Sequence, residues 1–467
     1  MHKTGIIAAI LALSWSVGLS PTAGAGPRVT KNRTMLDRYV FAPDSSFSYK
    51  LVNTIPGKGF TAYVIDMISQ QWRTAAEVDR PLWQHYLVIV KPDQVQTSTG
   101  LLFISGGSNG RPAPKSADAA FMALATSTQS VVAELRTIPN EPLTFAGESK
   151  SRTEDGIIAY TWDKYLRTGD ESWPLRLPMT KAAVRAMDVI TAFCGGLESA
   201  KASVEKYVIV GGSKRGWTTW TTAAVDDRVI AVVPAVIDCL NVEKSFDHHF
   251  RAYGFWAPAL DDYTEMGIME WSGTPQYKAL MNIEDPYTYR DRFSIPKFIV
   301  NSTGDQYFLP DSSRFYFADL PGEKYLRYVP NTKHDLNNSD AYLSMMAFYE
   351  SIVKGTPRPR FSWSHGEDGS ITVTCEDKPA EVRLWQATNP AARDFRLDTL
   401  GPAWKSTVVE ADPEGRFVGK AARPEQGFTG YFLEMTYPGP GKLPFKFTTE
   451  VRVTPDVLPF PPPKKAR

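Results

Sequence analysis

A serine, an aspartate and a histidine occur in this chain in the order and surroundings of a hydrolase triad. Ser213 follows two glycines at the end of an apolar run, Asp305 stands in a Gly-Asp turn, and His334 stands in a polar loop. A serine hydroxyl is a weak nucleophile until a base removes its proton, and a carboxylate holds that base in the productive tautomer. The sequence therefore predicts acyl transfer, with Ser213 as nucleophile, His334 as general base and then acid, and Asp305 as the orienting acid.

The turn at Ser213 has the pattern of a nucleophile elbow. The run before it is β-branched, Gly211 and Gly212 leave room for a sharp bend, and a helix-compatible segment follows. Such a helix points its positive N-terminal end at a developing oxyanion. The match to G-x-S-x-G is imperfect, because Arg215 stands where the second glycine is expected. A glycine-rich turn without a catalytic role is the alternative interpretation.

A second glycine-rich turn is predicted to complete the oxyanion hole. The apolar run 101–105 ends in Gly-Gly-Ser-Asn-Gly, an arrangement like the loop that aims a backbone N–H at the oxyanion in α/β-hydrolases. We expect one donor to be the N–H of Lys214, directly after the nucleophile. The other is expected from the loop 107–109, with Ser108 and Asn109 as candidates.

The order of the residues along the chain favours one candidate for the acid and one for the base. Of the six histidines, His334 is the one that follows a late strand-like run in a short polar loop. Asp305 is favoured as the acid because the interval to His334 leaves room for one helix and one strand. Asp238, at the end of the preceding apolar run, is the rival acid. The order Ser, Asp, His is the one that α/β-hydrolases use.

The segments around these residues predict the scaffold that positions them. Continuous apolar runs of strand length alternate with segments of helical spacing, as in a mostly parallel sheet covered on both faces. We predict an α/β-hydrolase fold over residues 26–356. Residues 242–292 carry many aromatic side chains and no strand pattern, and they are a candidate helical lid over the site.

The composition changes after the proline-containing segment near residue 357. Residues 357–456 alternate apolar and polar positions between polar turns, which predicts a C-terminal β-sandwich domain. This β domain is also the candidate surface for a protein partner. Residues 457–467 are rich in proline and lysine and are expected to be a disordered tail.

The N-terminal residues 1–25 have the pattern of a secretory signal peptide, with Lys3 before an apolar run and Ala-Gly-Ala before the expected cleavage point. The pattern predicts export to the periplasm or the outside, with no stable membrane span after cleavage. A net charge of +1 and the lack of an internal basic cluster exclude a nucleic-acid partner.

Three cysteines, Cys194, Cys239 and Cys375, are too few for a disulfide scaffold and too far apart for a CxxC site. We expect Cys194 and Cys239 to be buried thiols and not a bridge. No metal or organic cofactor is implied by the motifs.

Four segments of the chain resemble the PhoPQ-activated pathogenicity-related protein family, which includes autocrine proliferation repressor proteins. They are the segment 211–220 around Ser213 and the segments 139–145, 154–162 and 444–451. The resemblance implies an α/β-hydrolase domain with a C-terminal β domain, export, and a serine-hydrolase or peptidase-like site.

The bond that is cleaved stays open between an ester and a peptide, because both pass through the same tetrahedral oxyanion. The elbow is also similar to that of glucuronoyl esterases, with Lys214 at the place of an arginine. The sequence lacks the Glu-Glu doublet that holds the substrate amine in aminodipeptidases of this fold. We therefore expect a small-molecule ester or peptide substrate. The alternative is a non-catalytic secreted signalling or resistance factor on a hydrolase scaffold.

Overall fold

The structure, a computed structural model, describes residues 33–198 and 201–464. The predicted signal peptide at 1–25 lies outside the described residues. Among the residues that are described, no helix has both the length and the apolarity that crossing a membrane requires.

Helices and strands alternate through the first two thirds of the described chain, and strands dominate the last third. The α-helices are α1 (Met35–Val40), α2 (Ala119–Thr128), α3 (Glu154–Thr168), α4 (Arg176–Gly196), α5 (Lys214–Val225), α6 (Val242–Tyr253), α7 (Asp261–Glu265), α8 (Pro275–Glu284), α9 (Ala341–Lys354) and α10 (Leu397–Leu400). The strands are β1 (Ser48–Gly57), β2 (Phe60–Gln71), β3 (Leu82–Pro92), β4 (Thr99–Ile104), β5 (Val132–Leu135), β6 (Lys206–Gly212), β7 (Val229–Ala235), β8 (Lys297–Ser302), β9 (Lys324–Val329), β10 (Phe361–His365), β11 (Ile371–Cys375), β12 (Glu381–Asn389), β13 (Lys405–Val408), β14 (Phe417–Gly419), β15 (Phe428–Tyr437), β16 (Phe445–Thr448) and β17 (Arg452–Thr454).

One large mixed sheet organises the molecule. Its order is β1-β2-β3-β5-β4-β6-β7-β8-β9-β16-β15-β12-β13, with β17 beside β15. The six strands from β5 to β9 along this order are parallel, and β1 to β3 form an antiparallel edge. The segment of Ser213 follows β6, and the segments of Asp305 and His334 follow β8 and β9, as in an α/β-hydrolase. The predicted fold class is confirmed.

The parallel strands are buried on both faces, as their continuous apolar runs predicted. Along β6, Tyr207 and Ile209 enter one apolar cluster, and Val208 and Val210 enter the other. Helices α4 and α5 cover the first face, and α2 and α9 cover the second. Cys194 lies in the first core, and neither it nor the buried Cys239 forms a disulfide, as expected.

Residues 242–292, the candidate lid, are helical throughout much of their length. They hold α6, α7 and α8 with three short 3-10 helices at Pro258–Leu260, Ile268–Trp271 and Pro286–Arg292. The segment leaves the sheet after β7 and returns to it at β8. It is therefore an insertion at the edge of the sheet where the candidate site lies.

The C-terminal strands form two layers, one of which continues the large sheet. Strand β16 pairs with β9 through Thr448 and Leu326. The second layer is the small sheet β10-β11-β14, whose Ile371 and Val373 pack into the same core as Leu433 of β15. The predicted boundary near residue 357 therefore separates two parts of the chain that share one sheet.

The expectation of a disordered tail is wrong for residues 457–464. The Phe460 N–H donates to the carbonyl of Arg251 at 3.0 Å, and Leu458 packs beside Tyr253. The Phe460 ring lies so close to Gly254 that a Cβ there would come within 2.8 Å of it. Two apolar side chains thus anchor a segment whose composition alone suggested disorder. Residues 465–467 lie outside the described part of the chain.

Candidate active site

Ser213 occupies a strained turn between β6 and α5. Its φ is +57° and its ψ is −126°, a conformation that residues other than glycine rarely adopt. A Cβ on Gly211 would lie 2.5 Å from the Arg215 carbonyl oxygen, and one on Gly216 would lie 2.9 Å from that of Ala235. Only glycine fits at these two positions. Gly216, three residues after the serine, therefore allows the close helix-strand contact despite the imperfect motif.

The structure removes one of the predicted oxyanion donors. The Asn109 N–H donates to the Glu141 carbonyl at 2.5 Å, so it is not available to a substrate. Lys214 is the first residue of α5, and its N–H belongs to the turn that has no intrahelical acceptor. Within the described residues, no backbone acceptor is found for the N–H of Lys214 or of Ser108. These two amides stay the predicted donors.

The predicted acid and base are in contact. His334 Nδ1 lies 2.8 Å from Asp305 Oδ2. The other oxygen, Asp305 Oδ1, accepts the Tyr307 N–H at 2.8 Å, which fixes the carboxylate in the loop after β8. Because a carboxylate only accepts, Nδ1 carries the ring proton and Nε2 is left as the acceptor. That Nε2 is buried and has no hydrogen-bond partner among the described residues.

The rival acid, Asp238, is hydrogen-bonded to two tyrosine side chains. The hydroxyls of Tyr316 and Tyr328 donate to its two carboxylate oxygens at 2.6 and 2.7 Å. Burial raises the pKa of Asp238 to about 8, and the nearby charge of Asp305 adds to this against the lowering effect of the two hydroxyls. Asp238 therefore makes no contact with His334 and is disposed to be neutral at pH 7.

The side chain of Tyr307 lies near both the general base, His334, and the residue after the nucleophile, Lys214. Its ring centroid lies 4.6 Å from that of His334 and 5.3 Å from the Lys214 Nζ. Ser213 and Tyr307 line the same small cavity. Ser213 and His334 do not form a hydrogen bond in this structure. Catalytic hydrogen bonds often form only when substrate is bound. The missing hydrogen bond is therefore compatible with the predicted roles of Ser213 and His334.

The side chains of the two residues after Ser213 belong to a cluster of charged groups, most of them buried, that the sequence did not reveal. Arg215 holds both oxygens of Glu154 at 2.7 and 2.8 Å and reaches Glu141 at 3.4 Å. Lys214 Nζ lies 2.6 Å from Asp155 and 3.4 Å from Glu154. The adjacent acids and adjacent bases were visible in the sequence, but their pairing depends on the contact between α3 and the elbow.

The pKa values of the groups in this cluster are shifted in different directions. Burial raises the pKa of Glu141, and the negative charge of Glu154 raises it further. Burial acts in the same direction on Glu154, but the hydrogen bonds and charge of Arg215 outweigh it and lower the pKa of Glu154. Burial would lower the pKa of Lys214, yet Asp155 and Glu154 raise it above its ordinary value. Lys214 is therefore a stable cation one residue from the nucleophile.

The loops of Asp305 and His334 both touch the C-terminal region. The Leu397 N–H donates to the Gly304 carbonyl at 3.0 Å, next to Asp305. Asn331, three residues before His334, exchanges two hydrogen bonds with the backbone of Trp404, at 2.9 and 3.0 Å. We call residues 393–404 the bracing segment, since they contact both loops.

A buried ion pair adds to these contacts. Arg393 of the bracing segment donates to Asp311 Oδ2 at 2.6 Å, and His248 of α6 lies 3.0 Å from Asp311 Oδ1. Asp311 follows Asp305 in the loop after β8. The charge of Arg393 therefore links the C-terminal region, the acid loop and the helical insertion. Among the described residues, no group of three or more His, Cys, Asp or Glu side chains is arranged to hold a metal ion.

Solved structures with related folds include carbohydrate esterases. An acetyl xylan esterase from Paenibacillus sp. R4 is 14% identical, with a TM-score of 0.47, over 69% of this chain and 95% of that one. A glucuronoyl esterase from Solibacter usitatus is 15% identical, with a TM-score of 0.40, over 67% and 87% of the two chains. Proteins this distant share folds across many activities.

Relatives at the sequence level are much nearer. The family model of the PhoPQ-activated pathogenicity-related protein matches residues 36–396. Autocrine proliferation repressor protein A of Dictyostelium discoideum is 37% identical over an alignment of 456 positions that covers 91% of this chain and 92% of that protein. These matches cover Ser213, Asp305 and His334 together with most of the fold. The chain therefore belongs to the PhoPQ-activated pathogenicity-related protein family.

Proposed function

We propose that this protein is an exported serine hydrolase that cleaves an ester or peptide bond through an acyl-enzyme intermediate on Ser213. The observation that carries the proposal is the Asp305–His334 hydrogen bond of 2.8 Å, with an unpartnered Nε2, in loops beside the strained Ser213 turn. Strain of this kind costs about 1–3 kcal/mol and persists where the surroundings enforce it, often at active sites.

The chemistry follows from the proton positions. Ser213 Oγ attacks the substrate carbonyl carbon while its proton passes to His334 Nε2, and Asp305 stabilises the imidazolium. The bond to the leaving alcohol or amine then breaks, and that group takes the proton from Nε2. Water gives a proton to the same nitrogen and attacks the acyl carbon. The bond between that carbon and Ser213 Oγ then breaks, and Oγ takes the proton from Nε2, which releases the acid and restores Ser213. The N–H of Lys214 at the start of α5 is placed to stabilise the oxyanion.

A fluorophosphonate probe tests the proposal directly. It should label the protein at Ser213, as located by peptide mass spectrometry, and labelling should disappear in Ser213→Ala. The matched control is Ser69→Ala, because Ser69 also lies 2.9 Å from a histidine nitrogen, that of His85, but is fully buried. Retained labelling in Ser69→Ala and loss in Ser213→Ala support the mechanism, whereas no labelling of the wild-type protein contradicts it.

The second candidate is a secreted factor without catalytic activity. It is favoured by the name of the Dictyostelium relative, which describes a repressor of proliferation, and by the missing Ser213–His334 hydrogen bond. A protein that neither reacts with the probe nor hydrolyses activated esters would support this candidate. Export is tested separately, by sequencing the N-terminus of the extracytoplasmic protein, which should begin near Gly26.

A further inference from the structure

A small, largely apolar cavity of about 30 Å³ lies beside Ser213. Its walls come from four parts of the fold: α3, the Ser213 turn with α5 and the segment after β7, the helical insertion, and the loop after β8. The side chains that form them include Ile158, Trp162, Trp217, Ile237, Leu260 and Tyr263. The cavity therefore adjoins the atom that would carry the acyl group.

The walls are held in place by specific contacts. The Trp217 Nε1–H donates to the Glu284 carbonyl at 2.5 Å, and the Trp162 and Trp217 rings meet edge to face at 6.2 Å. Tyr263 packs on Trp162 and donates its hydroxyl to Asp155 at 2.9 Å. The second oxygen of Asp155 is the one that Lys214 binds. Moving these aromatic side chains would break buried hydrogen bonds or an ion pair, so they fix this part of the cavity wall.

The volume limits what can enter. A space of roughly 10–15 Å³ holds one water-sized group, so the cavity holds about two. Its predominantly apolar lining has no charged group other than the mutually paired Asp155 and Lys214. An uncharged one- or two-carbon substituent fits, and a longer chain does not.

The lining residues indicate which side of the substrate the cavity takes. The leaving group must lie against His334 Nε2, which gives it its proton, and His334 does not line this cavity, whereas Ser213 and Lys214 do. The acyl group stays bonded to Ser213 Oγ until water releases it. We propose that this cavity is the acyl subsite, and that the substrate class is esters of short unbranched acids such as acetate and propionate. This inference rests on the proposed function.

A chain-length series tests the inference on the full-length protein. With p-nitrophenyl acetate, butyrate and octanoate, we expect kcat/KM for acetate to exceed that for octanoate by at least about 100-fold, since groups that misfit an apolar pocket lose about 10–200-fold. Leu260→Ala should raise kcat/KM for butyrate relative to acetate by about tenfold. Leu280→Ala is the matched control, because Leu280 is equally buried in the same insertion but does not line the cavity.

The outcomes separate the inference from the proposed function. Octanoate turned over as fast as acetate overturns the acyl subsite while leaving the hydrolase intact, as does an unchanged butyrate preference in Leu260→Ala. If Leu260→Ala does not fold, Ile158→Ala enlarges the cavity at its α3 wall and must give the same shift. Failure to hydrolyse any ester, together with failure of the probe to label Ser213, contradicts the proposed function and the inference with it.

Discussion

The two halves of the candidate triad are held by different parts of the chain. The Ser213 turn is fixed within the α/β region, by the close glycine contacts and by the ion pairs of Lys214 and Arg215 with α3. The loops of Asp305 and His334 rest against the bracing segment, which comes later in the chain. The nucleophile geometry is therefore intrinsic to the hydrolase region, whereas the acid–base geometry depends on the C-terminal region.

The contacts on the two sides also differ in kind. On the nucleophile side they are charged and mostly buried, and removing one partner of a buried pair costs about 3–5 kcal/mol. On the acid–base side they are hydrogen bonds to backbone atoms, each of which contributes about 0.5–1.5 kcal/mol, together with the buried Arg393–Asp311 ion pair. Losing the backbone hydrogen bonds alone should therefore displace the acid–base loops without unfolding the protein.

The largest expected effect on turnover comes from removing the nucleophile, the base or both. Ser213→Ala and His334→Ala should each remove nearly all turnover of an activated ester, roughly 10⁶-fold in kcat, and the double variant should be little worse because the residues act as a unit. Kinetics with folding checked by circular dichroism measure this. A Ser213→Ala protein with wild-type turnover would rule out the mechanism.

The choice of acid comes next. Asp305→Asn should lower kcat by roughly 10⁴-fold, because the amide holds the wrong tautomer of His334. Asp238→Asn should change kcat only a few-fold, since its partners are Tyr316 and Tyr328. The pair of variants forms its own control, and a large loss confined to Asp238→Asn would assign the acid's role to that residue.

Removing the C-terminal region should affect one half of the site more than the other. We expect residues 26–356 to fold with reduced stability, because β9 loses its pairing with β16 and apolar surface is exposed. Turnover should fall by about 100-fold or more, the effect of a displacement of about 1 Å in catalytic groups. Deleting only residues 465–467 is the control. An insoluble fragment would show that both parts form one cooperative unit, and an unchanged kcat would show that the loops need no bracing.

A single substitution gives a sharper test of the bracing segment. Arg393→Met should lower kcat by about tenfold, equivalent to about 1.4 kcal/mol in the barrier, with little change in KM, and Arg393→Lys should recover part of the loss. Arg228→Met is matched, because Arg228 is also buried and paired, with Asp226. Both methionine variants should lower Tm, but only Arg393→Met should lower kcat. Equal kcat values in the two variants would contradict the bracing role.

The last prediction concerns the stability of the protein and its dependence on pH, and not turnover. The pKa of Asp238 is raised to about 8 by burial, so the folded state keeps a proton that the unfolded state releases near pH 4. The free energy of unfolding should therefore fall as pH rises between about 4 and 8, by up to about 1.4 kcal/mol per unit from this group. Asp238→Asn should show a flatter profile in urea unfolding at several pH values. Parallel profiles for the two proteins would refute the assignment.

Much of the candidate site could be predicted from the sequence, because the relevant patterns are local. The β-branched run, the glycines and the serine predict strand, turn and helix at Ser213 without knowledge of the rest of the chain. The order of Ser213, Asp305 and His334 after apolar runs likewise required only the succession of strands. The local sequence pattern gave wrong predictions for Asn109 and for residues 457–464. The N–H of Asn109 binds the Glu141 carbonyl, and residues 457–464 contact the end of α6, and both of these partners lie far away in sequence.

Tertiary structure decided which carboxylate meets His334, since the sequence favoured Asp305 but kept Asp238 as a rival. Asp238 and Asp305 both follow buried strands, but β8 is the neighbour of β9 in the sheet, and β7 lies one strand further away. Adjacent strands are about 4.8 Å apart, so only Asp305 lies within reach of the loop after β9. The pairing of Lys214 with Asp155 and of β16 with β9 was decided in the same way, because strand order and helix packing bring together residues whose separation along the chain carries no information about contact.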